Sequence, residues 1–574
     1  MFKLVKYLKK YKKHFILGPI FKLIDAIFEL IVPLVMARLI DVGLNPASPD
    51  RGYVFKMGGV LVLLGAVGLG FSYTCQFYAS RASQGFGTEL RTEMFRKISS
   101  LSHSELDLIG TPSLITRITN DVNQLQLAVA MFIRLVLRAP FLVIGSVIMA
   151  MVINLKLSII FLIATPLISL VIYLVMSYSI PFYKIIQKKL DKISLITSEN
   201  LEGTRVIRAF SGRENQEKLF ESACEDHTHT AIKAGIISAL LNPFNYIILN
   251  LAIVAILWFG GKLVNVGSMT TGQVIAFVNY ITQIQLALVV VANLVIIFTK
   301  SSASAARINE VLNMSEGLYE GSCSSTDSQE ENIISIKNVD FSYNDNVNNL
   351  DNISFDIRRG ETVGIIGGTG SGKSTLINLL PRFYDVANGE IIFEGKNVRD
   401  YTFNALRSSF GIVPQHAVLF SGSIEENLRW NKSDATDGEI RRALEISQAA
   451  EFVDKLPEGT RHIIDEGGKN LSGGQKQRLT IARALVGAPK VLVFDDSSSA
   501  LDYVTESKLR AALKTLDSTI IIVSQRAASI MHANKIIVMD EGKIAGIGTH
   551  AQLLDTCEVY KEICLSQQIE KEAV

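Results

Sequence analysis

Long apolar runs, separated by long polar and helix-favouring stretches, dominate residues 15 to about 300. A helix needs roughly 20 apolar residues to cross a bilayer. Six stretches reach that length: about 15–40, 53–79, 127–153, 156–180, 235–264 and 272–298. Several exceed it, which predicts tilt or extension into water. Polar stretches at about 81–125 and 181–233 separate the second span from the third and the fourth from the fifth, and the other connections are short. The pattern predicts six helices with two large excursions on one side. Residues 315–332, SEGLYEGSCSSTDSQEEN, break the apolar pattern with Ser, Gly and acid, a composition that suits a flexible joint. Strand-like alternation begins next, at IISIKNVDFSY. The expected organisation is a membrane region over 1–314, a linker over 315–332 and a soluble region over 333–574.

Lys and Arg placement orients the spans. The amino terminus carries Lys3, Lys6, Lys9, Lys10, Lys12 and Lys13, and it is basic and amphipathic. The first excursion carries Arg81, Arg91, Arg96, Lys97 and Arg117. The second carries Lys184, Lys188, Lys189, Lys192, Arg205, Arg208, Arg213 and Lys218. On the other face, NLK at 154–156 is nearly uncharged and the 41–52 loop has only Arg51. Both termini, both excursions and the soluble region are therefore expected in the cytosol, in a multi-pass protein of the inner (plasma) membrane. No short apolar core with a small-residue cleavage site precedes the first span, so no cleaved signal is expected.

Composition narrows the classes. The chain has 574 residues, 48% of them hydrophobic, with a net charge of +2, and nothing in that balance points to nucleic acid. Cys75, Cys224, Cys323, Cys557 and Cys564 show no metal-ligand spacing and read as unpaired thiols. Charges inside spans need a reason, because lipid penalises them. Asp25 and Glu29 share a face of the first helix. They either draw cationic substrates into a central cavity, or pair with Arg38, Arg134 or Arg138 or sit near an interface. Asn245, Asn279, Gln283 and Asn293 either line a water-filled path or form interhelical hydrogen bonds.

The soluble region holds the strongest signal, ETVGIIGGTGSGKSTLINLL. An apolar strand, Val363–Ile366, leads into Gly367, Gly368, Thr369, Gly370, Ser371, Gly372, Lys373, Ser374 and Thr375, and then an apolar helix. This is G-x-x-x-x-G-K-[ST] in its strand–loop–helix setting, a phosphate-binding loop. Glycines let backbone N–H groups wrap phosphate, and the helix N-terminus adds positive potential. Lys373 is expected on the β- and γ-phosphates of ATP, and Ser374 on Mg²⁺. VLVFDD at 491–496 supplies the partner strand, with Asp495 placed to hold Mg²⁺ through water.

LSGGQKQR at 471–478 lies between these motifs. With it the chain resembles the ATP-binding-cassette family, specifically exporters with six helices per half, over essentially its whole length. The fold class implied is a multidomain membrane protein, with an all-α six-helix transmembrane domain fused to an α/β phosphate-loop ATPase domain. In that family two cassettes meet head to tail around two ATP molecules. The resemblance implies that Ser472, Gly473, Gly474 and Gln475 touch ATP held by a second half-transporter. It also implies that Tyr343 stacks on adenine and that Gln415 contacts Mg²⁺ and water. Asp465, Glu466 and Gly467 fall in the cross-talk segment. Ser499, Ala500, Leu501 and Asp502 match the dimer-contact loop, and segments near 105–115 and 205–213 match the short helices that dock on the cassettes.

Two positions depart from the family. Asp496 stands where a Glu activates the attacking water, and its carboxylate retreats by about an ångström, a misplacement that costs roughly a hundredfold in rate. Gln525 stands where a His holds the γ-phosphate, and an amide carries no positive charge. Together they imply a site that binds ATP and hydrolyses it poorly, beside an intact signature, and hence a heterodimer whose partner supplies Glu and His. The expected function is ATP-driven export of small amphipathic, drug-like compounds. The alternatives are a lipid exporter or flippase and an ATP-binding regulatory subunit. A peptide-processing exporter is disfavoured because no protease-like domain precedes the first helix. A soluble ATPase acting on DNA is excluded by the spans.

Overall fold

The computed structural model describes residues 2–44, 50–315, 317–326, 328, 330–343, 348–497 and 501–572, without the side chains of Phe2 and 568–572. The chain divides into two compact units: Met1–Ser99 with Gly110–Met314, and Ser100–Ile109 with Ser315–Val574. Of the expected dimer-contact loop, Ser499 and Ala500 lie outside the described residues.

The first unit is helical. Among the described residues, five helical stretches are long and apolar enough to cross a membrane: Arg51–Ser100, Thr111–Ile153, Ile159–Glu202, Arg213–Asn265 and Thr271–Asn313. The expected first span, 15–40, is the helix Lys12–Arg38. Lys22, Asp25 and Glu29 interrupt its apolar run and separate it from the other five. The 50 residues of Arg51–Ser100 would extend about 75 Å at 1.5 Å per residue, more than twice the hydrocarbon thickness of roughly 30 Å. Each long helix therefore carries a polar extension, and the short helices His103–Ile109 and Thr204–Ala209 sit within the two excursions.

Lys22, Asp25 and Glu29, the charged side chains within the apolar run of the first helix, are paired. Glu29 Oε2 lies 2.6 Å from Arg138 Nη2, one of the three arginines offered as partners. Asp25 pairs with none of them. Lys22, one turn earlier on the same face, donates to it at 2.7 Å and to Ser72 Oγ at 2.8 Å. Gln283 Nε2 reaches across to Glu29 O at 3.3 Å, whereas Asn279 bonds back to Ile275 O in its own helix. Asn245 is buried, and its amide has no partner among the described residues. Around these groups the core closes on Phe161, Phe277, Tyr280 and Ile284.

The second unit carries two main sheets. β1 (Asn332–Phe341), β2 (Leu350–Arg358), β4 (Asn388–Phe393) and β5 (Lys396–Asn397) form an antiparallel sheet in the order β2-β1-β4-β5. The larger sheet contains β3 (Thr362–Gly367), β6 (Phe410–Val413), β9 (Val491–Asp495), β10 (Thr519–Val523), β11 (Lys535–Asp540) and β12 (Lys543–Gly548), in the order β12-β11-β3-β10-β9-β6. All its pairings are parallel except β11 with β12. A short ladder joins β7 (Gly422–Ser423) to β8 (Ile463–Ile464). The strands are near-continuous apolar runs because both faces are covered; Val363–Ile366 and Val491–Phe494 are fully buried. With β10 between β3 and β9, the carboxyl ends of these three strands lie side by side. In an open parallel sheet that is where ligands bind.

The segment Ser100–Ile109 belongs to this unit by its contacts. The His103 ring stacks on Phe383 at 4.6 Å, and Tyr384 donates its hydroxyl hydrogen to Asp107 Oδ2 at 2.7 Å.

Candidate nucleotide site

β3 ends in the loop Gly367–Gly372, and the helix Lys373–Leu379 follows. Gly370 and Gly372 hold φ of 81° and 93°, a left-handed backbone that glycine adopts without penalty. Gly372 also leaves no room for a side chain, since a Cβ there would sit 2.7 Å from the Leu350 side chain and 2.9 Å from Asn349 O. The Lys373 ammonium is drawn inward. It donates to Gly367 O at 2.9 Å, Gly368 O at 2.5 Å and Ser371 Oγ at 3.1 Å. Burial pushes its pKa down, opposed by the charges of Asp496 and Asp495. A desolvated cation ringed by backbone at a helix N-terminus fits an incoming phosphate.

Thr369, Gly370, Ser371, Gly372, Lys373, Ser374, Thr375, Gln415, Asp495, Asp496 and Gln525 line one cleft, together with Asn349, Val523 and Ser524. The sheet order brings them together. β3 delivers the glycine loop, β9 delivers Asp495 and Asp496, β10 delivers Ser524 and Gln525, and the segment after β6 delivers Gln415. Ser374 Oγ donates to Asp495 Oδ1 at 3.3 Å. These paired hard oxygens, with the Gln415 amide in the same cleft, fit Mg²⁺. Burial raises the Asp495 carboxyl, as does the charge of Asp496, against the Ser374 hydrogen bond and Lys373.

Asp496 follows the strand end in a left-handed conformation, φ 43°, which Asp tolerates better than most residues. Its N–H donates to Val523 O at 2.9 Å. Burial raises its pKa, and the hydrogen bond from the Gln525 backbone N–H, with Arg526 and Lys373 nearby, works the other way.

Two predicted groups lie apart from the cleft. Tyr343 follows β1; its ring makes edge contacts with Phe341 at 4.9 Å and Tyr384 at 5.2 Å and is 42% exposed. Its N–H donates to Asn349 Oδ1 at 3.0 Å, and Asn349 lines the cleft. Ser472–Gln475 opens the helix Gly473–Leu485 in a capping box: Ser472 Oγ accepts from Gln475 N at 3.3 Å, and Gln475 Oε1 accepts from Ser472 N at 2.9 Å. Ser472 and Gly473 are exposed. Gly467, in the cross-talk segment, holds φ 66° and accepts from Lys476 Nζ at 3.0 Å.

Sequence reasoning missed Asn349, Tyr384 and Gln567. Gln567, on the C-terminal helix Glu558–Glu572, accepts from Ala527 N at 2.8 Å and donates to Gln525 O at 2.7 Å. No local motif announces a contact across 40 residues. Asn349 had a weak signal in its closeness to the aromatic at 343.

Comparison with known proteins agrees with this arrangement. Residues 15–306 match the ABC transporter transmembrane region, and residues 350–499 match the ABC transporter family. The uncharacterized ABC transporter ATP-binding protein YfiB of Bacillus subtilis (strain 168) is 36% identical over 576 residues, covering 99% of this chain and 98% of that protein. The ATP-dependent lipid A-core flippase of Hahella chejuensis is 30% identical over 579 residues, covering 100% of this chain and 97% of that protein. A solved structure of a bacterial Atm1-family ABC exporter with ATP bound superposes with a TM-score of 0.80 at 22% identity, over 97% of this chain and 98% of that one.

Proposed function

The chain belongs to the ABC transporter family, as an exporter subunit with fused transmembrane and ATP-binding regions, and from that premise we propose that it is one half of a heterodimeric exporter of small amphipathic compounds. Its own phosphate loop binds ATP at a slow site, and its Ser472–Gln475 segment completes the partner's fast one. The ATP-binding unit lies in the cytosol beneath the inner membrane, with both termini on that side. The observation that carries this reading is the pair of departures in one cleft. Asp496 is a short carboxylate, and Gln525 is an uncharged amide, beside an otherwise complete set of phosphate-binding groups.

At such a site Lys373 and the Gly367–Gly372 backbone bind the phosphates, and Ser374, Gln415 and Asp495 would hold Mg²⁺, which neutralises phosphate charge when bound. Closure of the two cassettes around ATP moves the docked excursions and turns the cavity outward, and hydrolysis at the partner's site resets it.

The test compares ATP turnover by the purified chain alone with turnover by the chain together with a second half-exporter that has Glu and His at the equivalent positions. The lone chain is expected to turn over slowly and the pair quickly. Full turnover by the lone chain excludes the asymmetric scheme.

A lipid cargo is the second reading, favoured by the full-length likeness to a lipid A-core flippase. Amphipathic drugs and lipids would be separated by which class stimulates ATP turnover in reconstituted vesicles.

A further inference from the structure

We infer that Gln567 is a positioning residue for ATP hydrolysis: from the C-terminal helix, its carboxamide fixes the backbone of the segment that supports the Asp496 carboxylate. The inference rests on reading Asp496 and Gln525 as the groups that face the reacting phosphate.

Residue 525 is held on both sides of its backbone. Its N–H donates to the Asp496 carboxylate, and its C=O accepts from Gln567 Nε2 at 2.7 Å. The other end of the same amide, Gln567 Oε1, accepts from Ala527 N at 2.8 Å. Ala527 opens the short helix Ala527–Ile530, whose N-cap residue Arg526 supplies no side-chain cap. The first N–H groups of a helix have no partner within it, so Gln567 supplies from 40 residues away the acceptor that the local sequence lacks. One planar amide thereby spans residues 525–527 and sets where the Gln525 side chain and the Asp496 carboxylate sit.

The amide stands on a firm mount. Tyr560 and Cys564, on the same helix, are buried in a cluster with Ile366, Ile530, Ile536 and Val538. Ile366 is the last apolar residue of β3 before the phosphate loop. Cys564 and Gln567 are three residues apart and share a helix face. The helix is thus packed on the strand that carries the phosphate loop and hydrogen-bonded to the segment that faces it. Without the Gln567 amide, Gln525 C=O and Ala527 N–H lose their partners and residues 525–527 can shift. A displacement of about 1 Å at a reacting centre costs roughly a hundredfold in rate. A neutral amide does not titrate in the working range, so its loss leaves the shape of the pH profile unaltered.

The test uses the purified full chain alone, whose slow ATP turnover comes from its own site at Asp496 and Gln525, with Gln567→Ala and Gln567→Glu. The Glu variant keeps the side-chain volume and an acceptor for Ala527 N–H, and it loses the donor to Gln525 C=O. Expected for Gln567→Ala are a kcat lower by about tenfold, KM for ATP within twofold of the parent, an unaltered pH profile, and faster amide exchange confined to the 524–528 segment. Gln567→Glu should fall between Ala and the parent. An unchanged kcat with faster exchange in that segment overturns the inference. So does a Gln567→Ala variant in which all peptides exchange faster while Gln567→Glu turns over like the parent, because the side chain then serves only the fold. Asp496→Asn, measured alongside, separates the two levels. If it too leaves kcat untouched, the reading of the site is at fault. If it lowers kcat while both Gln567 variants do not, only the role of Gln567 is.

Discussion

Asp496 and Gln525 are hydrogen-bonded to each other, the Asp496 carboxylate accepting from the Gln525 backbone N–H. The two departures from the family pattern therefore lie in contact, and changes at residues in contact need not add. Asp496→Glu restores reach, and Gln525→His restores a group able to carry charge. The double variant is expected to raise turnover by the lone chain by about a hundredfold, and each single variant by much less than half of that gain on a logarithmic scale. Steady-state ATP hydrolysis by the four proteins reads the coupling. Strictly additive effects would mean that the two residues act separately.

Lys373 buries its ammonium among loop oxygens at 2.5–3.1 Å, and burial holds its pKa below the usual lysine value. The cation is costly in the fold and useful only towards phosphate. Lys373→Met should weaken ATP binding by about 10- to 100-fold, the loss of charge-assisted hydrogen bonds. It should also leave thermal stability without nucleotide unchanged or slightly higher. Binding measured by fluorescent nucleotide displacement, beside a melting curve, checks both signs. A variant that binds ATP normally removes Lys373 from the site.

Most of the architecture is legible because burial writes itself into residue type. Lipid demands long apolar runs, and a parallel strand covered on both faces demands short ones such as Val491–Phe494, so spans and strands stand out. The phosphate loop stands out because Gly370 and Gly372 hold backbone conformations few other residues accept. The first helix is less legible. Its apolar pattern is cut by Lys22, Asp25 and Glu29, and the pairing of Asp25 with Lys22 follows from spacing only once the helix is known. Contacts that join distant segments leave no local trace. Tyr384 with Asp107 and Gln567 with residues 525 and 527 depend on how distant segments pack within one unit rather than on any repeat or motif.

Glu29 and Arg138 link two helices at 2.6 Å, both partly exposed. Removing one partner leaves the other charge in an apolar setting, while removing both does not. Glu29→Gln should therefore destabilise the membrane unit by about 1 kcal/mol, a figure scaled down from fully buried pairs because this one is only partly buried. Glu29→Gln with Arg138→Leu should recover most of it. Thermal unfolding in detergent checks this. If transport selectivity between cationic and neutral compounds changes while stability does not, Glu29 serves the substrate rather than the fold.

His103 offers a pH-dependent test of how Ser100–Ile109 is held. Its ring stacks on Phe383 at 4.6 Å and meets Tyr384 at 5.8 Å. Burial lowers its pKa, the charge of Arg407 lowers it further, and Asp107 opposes both. A depressed value means that the neutral ring is the form the packed segment prefers. Above about pH 6.5, the ordinary histidine value, both packed and free forms are neutral and the contribution is fully present. As pH falls below that, the free form takes up a proton first, and stability is lost until the depressed value is passed. Amide exchange in 100–109, corrected for its intrinsic pH dependence, should show weaker protection at pH 5.5 than at pH 7.5. His103→Phe keeps an aromatic stack without a titrating group, and its protection should be the same at both values. If the parent and His103→Phe respond to pH alike, another group governs the packing of this segment.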